Sequence, residues 1–180
     1  KQKITLLGQN VNSYGKDIYE NYGFKELLHD ICQIEGDFEL TFMTSHPKDI
    51  TKEVIETLAN EKKILKELHL PVQSGSNAIL KAMNRRYTVE NYLEKVDYLR
   101  KLIPEIRLTT DIIVGFPGET EEDFNLTCEL VKKVKYAGIF AFMYSPRPNT
   151  PAAKMENQVP DAVKNYRVNY LLNLQKQFNR

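Results

Sequence analysis

Apolar residues gather into five short stretches along the chain: 3–8 (KITLLG), 38–43 (FELTFM), 66–72 (KELHLPV), 107–114 (RLTTDIIV) and 138–144 (GIFAFMY). Each has the length, and most the β-branched or aromatic content, of a strand. Between them the apolar spacing lengthens to three or four residues. Phe24, Leu27, Leu28 and Ile31 make one helical stripe, Val54, Ile55 and Leu58 a second, and Ile79, Leu80 and Met83 a short third. Tyr92, Val96, Leu99 and Ile103 mark a longer helix, and Phe124, Leu130, Val131 and Val134 another. Thr51, Ser76, Thr88 and Thr120 stand just ahead of four of these stripes, where a hydroxyl accepts from the open N–H groups of a first turn. Asp123, three after Thr120, makes that start a variant of the capping box. From Pro160 to Arg180, Val163, Arg167, Tyr170, Leu171, Leu174 and Phe178 fall near one face and predict a terminal amphipathic helix. Strand and helix alternate at about thirty residues per unit, the pattern of an α/β fold with a parallel sheet and crossover helices.

Every predicted strand hands over to a polar or glycine-containing cluster at its carboxyl end. The clusters are Gly8-Gln9-Asn10, Thr44-Ser45-His46-Pro47, Gln73-Ser74-Gly75-Ser76, Asp111 with Gly115 to Glu119, and Ser145-Pro146-Arg147. Loops are polar in most proteins, so one such cluster carries little. Five along one edge of a parallel sheet mark the side where these folds build their sites. The turn Gly115-Phe116-Pro117-Gly118 invites a phosphate, since a helix N-terminus carries partial positive charge. Glu119, Glu121, Glu122 and Asp123 already crowd that first turn and would repel it. The spacing also matches neither a P-loop nor a dinucleotide fingerprint. The glycines are therefore expected to serve backbone geometry and the close approach of something flat and uncharged, such as adenine.

Composition narrows the function classes. The 180 residues suit one domain, and 42% hydrophobic with 27% charged residues excludes a disordered chain. A net charge of +1 argues against a dedicated nucleic-acid-binding module, the alternative of another class, while leaving room for a local basic patch. No apolar run is long enough to span a bilayer, so no membrane partner is expected. Cys32 and Cys128 sit at apolar helical positions and read as core residues, and no metal-ligand spacing occurs, so no metal-binding residue is assigned. The chain opens at Lys1 inside a predicted strand, which suggests a piece of something longer.

Read together, LLGQNVNSYG, TSHPKD, LHLPVQSGSNAILKAMNRRYT, TDIIVGFPGETEEDF and YSPRPNTPAA make the chain resemble the radical S-adenosylmethionine methylthiotransferases. The resemblance covers essentially the whole chain in order, and is greatest to the tRNA-modifying branch that acts at C2 of N6-prenylated adenosine 37. It implies a partial TIM-like (βα)6 barrel, with strands two to six in residues 1–157 and a helix over 158–180 leading to a C-terminal TRAM domain. The first strand, with its cysteine loop for a 4Fe–4S cluster, would lie outside the chain, as would a second 4Fe–4S cluster in an N-terminal domain. The resemblance further implies S-adenosylmethionine as cofactor, the tRNA anticodon loop as partner and a cytoplasmic enzyme. The 180 residues alone are expected to be inactive and to self-associate through an exposed first strand. Relatives acting on threonylcarbamoyladenosine tRNA or on a ribosomal protein remain the alternative substrates.

Residue by residue, the resemblance places Gly8, Gln9 and Asn10 near the methionine amino group of the cofactor, and Ser45 at a polar contact to the same moiety. Relatives often carry glutamate in these two regions, and this sequence does not. Gln73 and Asp111 match positions that hold the ribose hydroxyls, and Arg85 one that pairs with the methionine carboxylate. Ile113, Gly115, Tyr144 and Ser145 would line the adenine. The residue types suit those tasks: an amide and a carboxylate can bind a vicinal diol, and an arginine fork matches a carboxylate. On the residues alone, Asp111 could instead satisfy backbone groups, Gln73 cap the next helix, Arg85 and Arg86 form a solvated pair, and Arg147 face solvent. No side chain is assigned a catalytic role.

Overall fold

The computed structural model describes residues 1–43 and 46–178. In chain order the elements are β1 (Gln2–Leu6), α1 (Phe24–Gln33), β2 (Phe38–Phe42), α2 (Lys52–Asn60), β3 (Glu67–His69), α3 (Asn77–Ala82), α4 (Val89–Leu102), β4 (Arg107–Val114), α5 (Glu121–Val134), β5 (Gly138–Met143) and α6 (Asp161–Lys176). All five predicted strands and six predicted helices form. They divide into two compact units, Lys1–Pro71 with Glu94–Leu108, and Val72–Leu93 with Thr109–Arg180.

In the first unit β1 and β2 pair in parallel, Gln2 opposite Phe38 through Leu6 opposite Phe42. Phe38, Leu40 and Phe42 alternate into the core because successive strand side chains point to opposite faces. Phe24 of α1 meets Phe42 edge-on at 5.0 Å, and Leu28 and Cys32 continue the same buried stripe. Bridges from Leu40 to Ile64 and from Met43 to His69 extend the parallel pairing toward β3. Thr51 caps α2 by accepting from the Val54 N–H. β3 is shorter than the predicted 66–72, because Pro71 has no N–H to give a ladder, and pairing resumes only as an isolated bridge from Gln73 to Ile112.

In the second unit β4 and β5 run parallel from Thr109 opposite Gly138 to Val114 opposite Met143. Thr110, Ile112 and Val114 point into the core of this unit, and Phe124, Cys128, Leu130, Val131 and Val134 of α5 are buried there too. Thr120 and Asp123 form the expected capping box at the start of α5. The buried face of α6 differs from the predicted one. Lys164, Arg167, Leu171, Leu174 and Gln175 are buried, whereas Tyr170 is 43% exposed. Polar partners set this rotation: Gln175 donates to the Tyr136 carbonyl at 2.6 Å, and Arg167 reaches a buried carboxylate described below. The described strands form a two-stranded and a three-stranded sheet, not a closed barrel.

Candidate cofactor cleft

The carboxyl ends of β4 and β5 border a cleft of about 630 Å³ within the second unit. That size falls among the roughly 300–1,000 Å³ of small-molecule sites. Parallel register puts Asp111 opposite Phe140 and Ile113 opposite Phe142. Alternation along β4 then turns Asp111 and Ile113 toward the cleft, while their neighbours Ile112 and Val114 enter the core.

Gln73 joins this face through its backbone. Its N–H donates to the Asp111 carbonyl at 2.9 Å, and its carbonyl accepts from the Ile113 N–H at 3.0 Å. The left-handed φ of 74° costs a residue with a Cβ about 1–2 kcal/mol. Val72, one residue earlier, is fixed by its N–H to Thr110 Oγ1 and by Tyr87 Oη donating to its carbonyl, both at 2.9 Å. Burial pushes the Tyr87 hydroxyl up to about 12, so it stays protonated as a donor. The rest of the Gln-Ser-Gly-Ser loop serves α5. Gly75 donates to Thr127 Oγ1 at 2.9 Å, and a Cβ at Gly75 would stand 2.5 Å from the Thr127 Cα. Ser76 donates to Asp123 at 2.6 Å and caps α3 itself, so Gln73 is not needed as a cap.

Arg85 arrives through a left-handed residue, Asn84, at the end of α3. It lines the cleft half-buried, while Arg86 is exposed. Arg147 also lines the cleft, from its exposed rim. Phe116, Phe142 and Met83 supply apolar wall that sequence reasoning missed. The alternation of β5 could have revealed Phe142, which shares a face with Ile113.

The Gly-Phe-Pro-Gly turn is closed by the protein itself. Glu119 folds back beneath it and accepts from the Gly115 N–H at 2.9 Å. Arg167 of α6 holds that carboxylate at 2.7 Å and the Glu119 carbonyl at 3.2 Å, with both side chains buried. Burial raises the Glu119 carboxyl above its usual range, against the opposing pull of Gly115 and Arg167. The close approaches expected at the glycines are made by side chains of this chain. A Cβ at Gly115 would overlap the Lys164 stem, and one at Gly118 would stand 2.6 Å from the Asn157 amide nitrogen. Three carboxylates therefore face the start of α5, and the fourth belongs to the turn.

Gln73, Arg85, Asp111, Ile113, Tyr144 and Ser145 line this one cleft. Gly115, just after β4, does not line it. Gly8, Gln9 and Asn10 belong to the first unit, where Gly8 and Gln9 are exposed and Asn10 donates to Asp49 at 2.7 Å. Ser45 lies outside the described residues. Among the described residues no group of three or more His, Cys, Asp or Glu side chains could hold a metal ion. No helix among them is long and apolar enough to cross a membrane.

An α/β architecture with a polar-and-apolar cleft at the strand ends defines the class. Residues 1–131 match the radical SAM superfamily, and the chain belongs to it. Coproporphyrinogen III oxidase from Escherichia coli, a solved radical SAM enzyme, has the same fold, with a TM-score of 0.67 over 86% of this chain and 36% of that one at 21% identity. More similar in sequence is the tRNA-2-methylthio-N(6)-dimethylallyladenosine synthase of Carboxydothermus hydrogenoformans, 56% identical over 97% of this chain and 40% of the relative. The synthase of the same name from Clostridium botulinum strain Hall is 58% identical over 95% and 38%, and that of Thermoanaerobacter sp. strain X514 is 54% identical over 99% and 38%. The chain spans about two fifths of the length of these curated relatives.

Membership implies S-adenosylmethionine and a 4Fe–4S cluster. The donor set of the cleft fits the first: a guanidinium for a carboxylate, an amide and a carboxylate for a diol, and Ile113 and Phe116 for a flat base. The described residues of this chain do not fit the second, for want of a thiolate set.

Proposed function

We propose that the chain is the core of a radical SAM tRNA methylthiotransferase that adds a methylthio group at C2 of N6-prenylated adenosine 37. The observation that carries this reading is identity of 54–58% over nearly the whole chain to relatives named for that activity. The partner would be the tRNA anticodon loop, and the setting the cytoplasm. In this reading Arg85 pairs with the cofactor carboxylate, and Asp111 and Gln73 hold its ribose. Ile113 and Phe116 cover its adenine and exclude water, with Tyr144 and Ser145 at the edge. Gly8, Gln9, Asn10 and Ser45 would face its methionine end, and two 4Fe–4S clusters would be held by segments beyond these residues. S-adenosylmethionine, when bound, supplies both the radical chemistry and the methyl group. The chain's own residues supply placement and a dry wall.

The test is nucleoside mass spectrometry of tRNA from cells lacking the full-length protein, before and after its gene is restored. The methylthio group is expected on prenylated adenosine 37. Its appearance on threonylcarbamoyladenosine or on a ribosomal protein, with prenylated adenosine unchanged, would replace this reading by one of those two.

A further inference from the structure

We propose that Lys164 is a positioning residue for the cofactor cleft, holding together the two strand ends that border it. The proposal rests on the reading that the cleft takes S-adenosylmethionine. Lys164 is only 5% exposed, a degree of burial rare for lysine. Its ammonium donates to the Tyr144 carbonyl at 3.1 Å and lies 5.4 Å from the centre of the Tyr144 ring. A third partner, Asp161 at 3.4 Å, has a side chain 92% exposed. The stem of Lys164 meanwhile fills the space beside Gly115. One side chain thus touches the end of β4 and the end of β5.

A fold needing only filler beside Gly115 would place methionine there and avoid burying a charge. The chain after β5 explains the ammonium. The Tyr144 N–H donates to the Val114 carbonyl at 2.8 Å and closes the ladder. Ser145-Pro146-Arg147-Pro148 follows, and its prolines have no N–H with which to extend the pairing. Lys164 holds the Tyr144 carbonyl just where the ladder stops. The Tyr144 hydroxyl has no partner among the described residues, so the ring is set from its backbone, by the ammonium and by an edge contact to Phe116 at 5.2 Å.

The experiment uses the full-length holoenzyme with Lys164→Met, which keeps the stem and removes the ammonium, and with Lys164→Arg, which keeps both a stem and a cationic donor. S-adenosylmethionine affinity is measured by calorimetry, and hydrogen exchange is followed at the Tyr144 amide. For Lys164→Met, Kd is expected to rise about tenfold, the scale of one hydrogen bond to a charged group. The Tyr144 amide should exchange faster while amides in α2 keep their protection, and Lys164→Arg should restore both readings. A general loss of packing would speed exchange throughout and would not be rescued by arginine. Unchanged affinity and unchanged Tyr144 exchange in Lys164→Met would overturn the proposal. Should that variant not fold, Lys164→Gln, whose neutral amide is too short to reach Tyr144, is read by the same two outcomes. If the unsubstituted enzyme fails to bind S-adenosylmethionine, the cofactor reading falls, and Tyr144 exchange alone decides the positioning claim.

Discussion

Gln73 and Asp111 reach the cleft by opposite means, one through a left-handed backbone and the other through the regular alternation of a strand. Both present polar groups to the same wall. In the full-length enzyme, Asp111→Asn and Gln73→Ala are each expected to weaken S-adenosylmethionine binding by about 1–3 kcal/mol, the range for losing a hydrogen bond to a buried polar partner. Calorimetry with thermal melts checks this, and the melting temperature should move less than the affinity. Asp123 provides a pH-dependent case. Burial opposes its ionisation, but hydrogen bonds from Ser76 and Thr120 prevail and hold its carboxyl below the ordinary 3.8. A depressed folded value gives stability that is present above the unfolded value and lost as pH falls through the folded one. The stability gap between the native chain and Asp123→Asn should therefore be open at pH 6 and close as pH drops below about 4. A gap independent of pH in urea titrations would count against this role.

At the scale of elements, α6 contributes a buried ion pair more than an apolar face. Removing one partner of such a pair leaves the other charge stranded, at a cost of about 3–5 kcal/mol. Arg167→Met is expected to destabilise the second unit by that amount in urea denaturation. Glu119→Gln together with Arg167→Met should recover part of the loss, the non-additivity expected of groups in contact. These interactions also explain what the sequence could and could not reveal. Strands, helices and caps were legible because each follows from spacing within a few residues, as Thr51 before Val54 shows. The strand-end cluster of Gln73, Asp111 and Ile113 was legible because parallel sheets place such residues along one edge. The role of Glu119 was not, because its partner is 48 residues away and nothing local distinguishes it from Glu121 or Glu122. The burial of Lys164 was hidden for the same reason: a lysine in an amphipathic pattern reads as solvated.

At the scale of the whole molecule, β1 pairs with β2 on one side, and its residues are exposed or half-buried, with Ile4 at 39% and Leu7, just past its end, at 77%. An open strand edge is a template for another chain. The 180-residue chain is expected to self-associate through this edge at micromolar to millimolar concentration, and Ile4→Lys to suppress it. Sedimentation velocity checks both. A second expectation concerns iron. Burial raises the thiol of Cys32 and pushes that of Cys128 up to about 11, so neither offers a ready thiolate. Reconstitution of these 180 residues with iron and sulfide should therefore give no charge-transfer absorbance. A stoichiometric four-iron cluster would assign both cysteines a new role.

The turn closed by Glu119 and Arg167 also sets an order in time. A chain emerging from the ribosome displays β4, the glycine turn and β5 well before residue 167 is clear of the tunnel. Until then Glu119 lacks its guanidinium, and the Tyr144 carbonyl lacks its ammonium. Domains are made from the N-terminus onward, at about 5–20 residues per second. The cleft is therefore among the last features of this chain to mature, although most of its walls are synthesised earlier. In the proposed reading, cofactor binding would await a helix that does not itself line the cleft.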